Sequence, residues 1–218
     1  MASVDGWIAL GAAALAAAPA GLLAAGTVTR RAGGRGPVEG WRPPLGGIAA
    51  ATVIAFVWAA AVVPFGPFLA VSLPLGWTLI CLGAIDLAVF RLPDAFTLPL
   101  LAAGIAVAFV LPGRPVVDHL GAAAGGWALL SALARGYRLW RGVDGLGLGD
   151  AKLLGAAGAW LGLAALPSVL LIACGAAFAW VAFKVLTEGA GAARTRVAFG
   201  APLALAIWVV WLHGPLAP

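Results

Sequence analysis

Apolar residues in this chain come in long, nearly uninterrupted blocks, separated by short stretches rich in Gly, Pro and Arg. A helix needs roughly 20 mainly apolar residues to cross a bilayer. Eight windows approach that length: 7–26, 45–63, 68–90, 96–111, 116–134, 151–165, 168–185 and 199–212. The pattern predicts an all-α fold, a polytopic transmembrane helical bundle of about eight spans, forming a single membrane domain over 1–218. Within it, a first helical pair over 1–64 encloses a basic inner loop at 27–44, and a six-span core covers 65–218. Pro74 should kink the third span, because proline removes a backbone hydrogen bond and clashes with the preceding turn. The first window is preceded by Asp5 and by no basic residue, a poor secretory signal, so it is expected to be retained as a span.

Composition strengthens this picture. Hydrophobic residues make up 63% of the chain and charged residues 10%, with a mean hydropathy of +1.07, whereas soluble domains are about 45 to 50% apolar. The net charge of +5 does not point to nucleic acid, because the basic residues are spread over separate loops. With the amino terminus outside, all thirteen Lys and Arg residues except Arg114 fall on or beside the inner side, the asymmetry of the positive-inside rule. The lipid bilayer is therefore an expected partner. Tyr137 and Trp140 fit an interfacial aromatic belt, and the glycines at 121, 125, 126, 155, 158 and 162 read as close helix contacts.

Cys81 and Cys174 both lie within apolar windows and form no C-x-x-C pair, so they read as small buried hydrophobes. His119 and His213 fall at outer span ends, away from the acids discussed next. No metal and no cofactor are expected.

Two acids interrupt the apolar pattern. Asp86 sits near the inner end of the third span, and Asp150 begins the sixth after Gly145-Leu146-Gly147-Leu148-Gly149. A carboxylate at mid-helix in a bilayer costs roughly 2.5 to 3.5 kcal/mol on insertion scales, which makes each a functional candidate. The third span runs inward and the sixth outward, so topology brings the two acids to one depth. Two carboxylates close together in low dielectric share a proton and titrate as a pair. One can then take a proton from water while the other hydrogen-bonds a scissile carbonyl, the chemistry of an aspartyl peptidase. Gly147 and Gly149 would leave room for an extended substrate beside Asp150 and expose backbone N–H groups to it. Lys152 either orients an acidic substrate residue or anchors the span at the headgroups. Asp94, two residues before the fourth span, suits a helix amino-terminal cap, as does Thr97 one turn on. Asp94 and Asp144 join Gly147, Gly149 and Lys152 as the candidate substrate-binding set, with Asp86 and Asp150 catalytic. Intramembrane acids also serve transport, so an ion-coupled or proton-coupled transport component stays open, as does a non-catalytic assembly factor.

At these residues the chain resembles the type IV prepilin leader peptidases, the bacterial branch of the G-x-G-D membrane aspartyl peptidases. The resemblance rests on Ile85-Asp86 followed by Leu92-Pro93-Asp94-Ala95-Phe96-Thr97-Leu98-Pro99-Leu100, then 145–152 with Gly158 and Gly162, then Phe199-Gly200-Ala201-Pro202-Leu203. It implies removal of the short basic leader from prepilins or pseudopilins at the cytoplasmic face of the bacterial inner membrane, with Asp86 and Asp150 as the catalytic pair, in the service of a pilus or a type II-like secretion apparatus. Long members carry two C-x-x-C pairs after the first span, resembling a zinc-holding module, and many also methylate the new amino terminus. Residues 27–44 contain no cysteine, so zinc is not expected, and methyl transfer stays open for this chain. Ala88 stands where many members are polar, and Asp144 where a glutamate is common.

Overall fold

The computed structural model describes residues 45–142, 147–189, 191 and 197–216. The expected first span, the basic loop at 27–44, Asp144, Gly145, Arg194 and Arg196 lie outside the described residues. What is described is helical: α1 Leu45–Val62, α2 Pro67–Val89, α3 Asp94–Val110, α4 Val116–Arg141, α5 Leu148–Leu161, α6 Leu166–Glu188 and α7 Gly200–His213, with a 3₁₀ turn at Leu163–Ala165 before α6. Apolar blocks without alternating polarity favour this outcome, because a helix satisfies its backbone polar groups internally where water is absent. Buried hydroxyls follow the same rule: Thr52 donates to the Ile48 carbonyl at 2.9 Å, and Ser72 to that of Phe68 at 2.7 Å.

Among the described residues, three stretches are long and apolar enough to cross a membrane: Pro67–Val89, Val116–Arg141 and Leu163–Glu188. The helical class expected from the sequence is met; the described residues bear out three spans of full length, and the first expected span lies outside them. Helix α5, with 14 residues, is about 21 Å long, short of a hydrocarbon core of about 30 Å. It is instead the middle of the bundle. Nearly every residue from Asp150 to Trp160 is buried, and α5 packs on α4, α3 and α7. Small residues permit the closest of these contacts. A Cβ at Gly158 would run into the Ala122 carbonyl, and one at Gly126 would lie 2.9 Å from the Leu154 oxygen. Gly121 and Gly125 have nothing within 4 Å, so they are not the packing positions the sequence suggested.

Two further expectations change. Helix α4 continues seven residues past the predicted end at Ala134, carrying Arg138 and Arg141 in its last turn and stopping at Gly142 in the left-handed region (φ 71°). Basic residues suit a helix carboxyl terminus, and the helix runs past the apolar window as far as Arg141. Cys81 is buried, but Cys174 is exposed on α6, whose outer face also carries Leu171, Phe178 and Leu186.

Candidate active site

Helix α2 delivers Asp86 one turn before its end. The helix stops at Phe90, a non-glycine residue in the left-handed region (φ 52°, ψ 38°), whose amide donates to the Asp86 carbonyl at 2.8 Å. Left-handed geometry is uncommon for a bulky side chain, and here it turns the chain off the helix axis into Arg91-Leu92-Pro93. Helix α3 then begins at Asp94.

Asp150 is the third residue of α5, after the N-cap Gly147. Its carboxylate reaches back to the Gly147 amide, the reciprocal half of a capping box, in which an acid at the third helical position satisfies the cap residue's own N–H. The Asp86 carboxylate also meets a helix start: the Ala201 amide, second residue of α7, donates to its Oδ2 at 3.2 Å. Free amides at the start of a helix stabilise negative charge, which gives each acid a local reason for its position.

The two acids are 5% and 8% exposed, and the charge of Asp86 acts on Asp150. Leu92 packs against both helix starts. A Cβ at Gly149 would lie 2.9 Å from the Leu92 Cβ; one at Gly200 would lie 3.0 Å from the Leu92 Cδ1 and 2.8 Å from the Asp86 Oδ2. Leu92, 8% exposed, is thus wedged between the starts of α5 and α7. Glycine at 149 and 200 provides space for this wedge. The room expected beside Asp150 at Gly149 is taken up by Leu92. Unusual backbone geometry is not the reason for glycine at the start of α5 either, since Gly147 adopts an ordinary extended conformation (φ −74°, ψ 137°).

Asp94 does not cap α3. The N-cap is Pro93, no side chain caps the helix, and the Asp94 carboxylate instead pairs with Lys152 Nζ at 2.5 Å. Thr97 is no cap either, because its hydroxyl donates to the Pro93 carbonyl at 3.4 Å instead of accepting an amide. The structure therefore places Asp86, Asp150, Asp94, Lys152, Gly147 and Gly149 at one end of the bundle. His119 and His213 lie at the other, held by the Ala159 carbonyl and the Trp58 indole respectively.

Sequence reasoning assigned no role to Leu92, Gly200 or Ala201. The signal for them was their position in the three blocks that carry the family resemblance, since nothing about an isolated leucine or glycine marks it as a wedge or a gap.

The model of the type IV leader peptidase family matches residues 73–182. The chain is similar to prepilin leader peptidase/N-methyltransferases of Aeromonas salmonicida, at 37% identity over 143 residues, and of Burkholderia pseudomallei, at 41% over 128 residues. These matches cover 66% and 57% of the chain but 49% and 41% of the relatives, so it spans about half the length of such proteins. It is also similar to Leader peptidase HopD of Escherichia coli, at 36% identity over 58% of the chain and 81% of that protein. No solved structure matches significantly.

Proposed function

The chain belongs to the type IV leader peptidase family, and from that membership we propose that it is a bacterial membrane aspartyl endopeptidase that removes the short basic leader of type IV prepilins or pseudopilins. The observation that carries this reading is the burial, at one end of the bundle, of two acids that act on one another electrostatically, with Leu92 packed between Gly149 and Gly200 at the helix starts they meet. Nothing about packing calls for two like charges in one apolar site, and such pairs are characteristic of sites that need one acid and one base.

In the proposed mechanism Asp86 and Asp150 share one proton. The ionised member takes a proton from water as the water attacks the scissile carbonyl, and the protonated member hydrogen-bonds the developing oxyanion. The tetrahedral intermediate collapses as the leaving amine accepts a proton from the pair, with no acyl-enzyme. A peptide carbonyl in a helix is already hydrogen-bonded, so the leader junction enters locally extended, with the Gly147 region gripping its backbone. Asp144 is assigned to the leader's basic residues by charge alone. The proposal sets this end at the cytoplasmic face of the inner membrane, a reading supported by the sidedness of the basic residues in the sequence.

Co-expression of the full chain with a small prepilin, followed by detection of the shortened product, tests the reading. Asp86→Asn and Asp150→Asn each keep the side-chain shape and remove the acid, so each alone should abolish processing. Persistent cleavage in either variant would overturn the two-aspartate mechanism.

A further inference from the structure

The helices that bring the two acids together share almost no direct packing: α5 lies on α3, α4 and α7, while α2 lies on α1, α3 and α7. The relative position of Asp86 and Asp150 is therefore set by what bridges them. Beside the start of α7, the bridge is the five-residue segment from Phe90 to Asp94, which leaves α2 and reaches the first turns of α5 at two points. One is apolar, Leu92 filling the space at Gly149. The other is ionic, Asp94 against Lys152 at 2.5 Å, across 58 residues of sequence.

Resting on the peptidase reading, we propose that Asp94 and Lys152 are positioning residues, an ionic tie that holds the segment after α2 on the Asp150 helix and thereby fixes the separation of the catalytic carboxyl groups. Neither side chain is deeply buried, and exposed ion pairs add little to global stability, so the tie acts on geometry. It closes a short loop of contacts: Asp86 is eight residues from Asp94, Lys152 is two residues from Asp150, and Leu92 is packed inside the loop. Residues two apart on a helix point to different faces, so Lys152 can pair outward with Asp94 while Asp150 turns inward. A misplacement of about 1 Å between reacting groups is enough to cost on the order of 100-fold in rate, whereas the same shift barely registers in folding. The arrangement also explains why Asp94 is not spent on capping its own helix.

This role differs from substrate binding in its kinetics. Asp94→Asn and Lys152→Ala should each lower kcat about 10- to 100-fold with KM little changed, and the double variant should be no worse than either single one, because both break the same contact. The exchanged pair Asp94→Lys with Lys152→Asp should recover most of the lost rate. A rise in KM at unchanged kcat, or failure of the exchange to restore activity, would mean that these side chains meet the leader directly, and the proposal is overturned. A second readout needs no activity. In the full chain with Cys81 and Cys174 replaced by alanine, spin labels at Leu87→Cys and Leu148→Cys flank the two acids. Their distance distribution should be narrow with Lys152 present and broaden in Lys152→Ala. An unchanged distribution overturns the tie. If the wild-type chain leaves prepilin uncut, the peptidase reading fails instead, and the label distances still decide whether the pair holds the two helices.

Discussion

The two ends of the bundle use charged groups in opposite ways. At the end remote from the acids, three residues around the start of α4 close the break between α5 and α6. Arg114 donates to the Trp160 carbonyl at 2.6 Å, His119 lies 2.9 Å from that of Ala159, and Asp118 accepts the Leu163 amide at 3.1 Å. These are the orphan carbonyls and amides that a helix end leaves behind, and each meets a group of complementary character. The Arg114 guanidinium also lies over Trp211, 4.7 Å from the ring centroid. Burial lowers its pKa from the ordinary value, but arginine keeps its charge, and the aromatic face compensates part of the desolvation. At the other end Asp86 and Asp150 also meet helix starts, yet each is buried near a like charge. One end is arranged for stability, and the other tolerates repulsion. That difference is what a folding argument leaves unexplained and a chemical one requires.

The largest expected effect sharpens the contrast directly. Asp86→Asn or Asp150→Asn should reduce cleavage at least about 1,000-fold without lowering the thermal midpoint of the purified protein, because the amide keeps the side-chain shape and replaces a buried ionisable group that is costly to desolvate. A clear drop in that midpoint would show that the acids hold the fold together and would erase the difference between the ends. Next comes Gly200→Ala. Its new methyl would press on the ends of two side chains, Asp86 and Leu92, and both can move without unfolding anything. Activity should fall about 10- to 100-fold while stability changes by about 1 kcal/mol, as read by parallel rate and denaturation measurements.

Much of this architecture was legible in the sequence, and the exceptions have physical causes. Helices α1 to α3 and α7 start and stop within two residues of the apolar windows, because membrane-type segments announce themselves by composition. The window at 151–165 did not show that α5 begins at Leu148 inside the glycine run and breaks at Gly162. Apolarity is blind to a turn made of glycine. Likewise α4 outruns its window because Arg, Tyr and Trp extend a helix as readily as they leave a membrane. Asp86 and Asp150 stood out as acids in apolar runs, and each could be found alone. The Leu92 wedge, the Asp94–Lys152 pair and the Arg114 cluster could not, since each joins residues far apart in the chain. Arg114 was visible only as the one basic residue out of place in the topology.

Arg114→Leu probes the opposite end and should invert the pattern of the aspartate variants. Losing a charged donor from the Trp160 carbonyl should cost about 2 kcal/mol, seen as a lower denaturation midpoint. The specific rate of the protein that remains folded should be unchanged, since the acids lie at the far ends of α2 and α5. A loss of rate larger than the loss of folded protein would mean that the ends communicate through the α5 axis.

The smallest effect belongs to Asp118, and it separates charge from hydrogen bonding at that end. Its carboxylate accepts the Leu163 amide, a cap that asparagine makes almost as well as aspartate and alanine does not. Asp118→Asn should therefore shift stability by less than about 0.5 kcal/mol and Asp118→Ala by about 1 kcal/mol, with cleavage rates alike in both. If asparagine proved as damaging as alanine, the negative charge itself would be what the break between α5 and α6 requires, most simply to balance Arg114 four residues away in sequence. The cap at this end would then be an electrostatic device, and the contrast with the acid end would reduce to opposite charges in one place and like charges in the other.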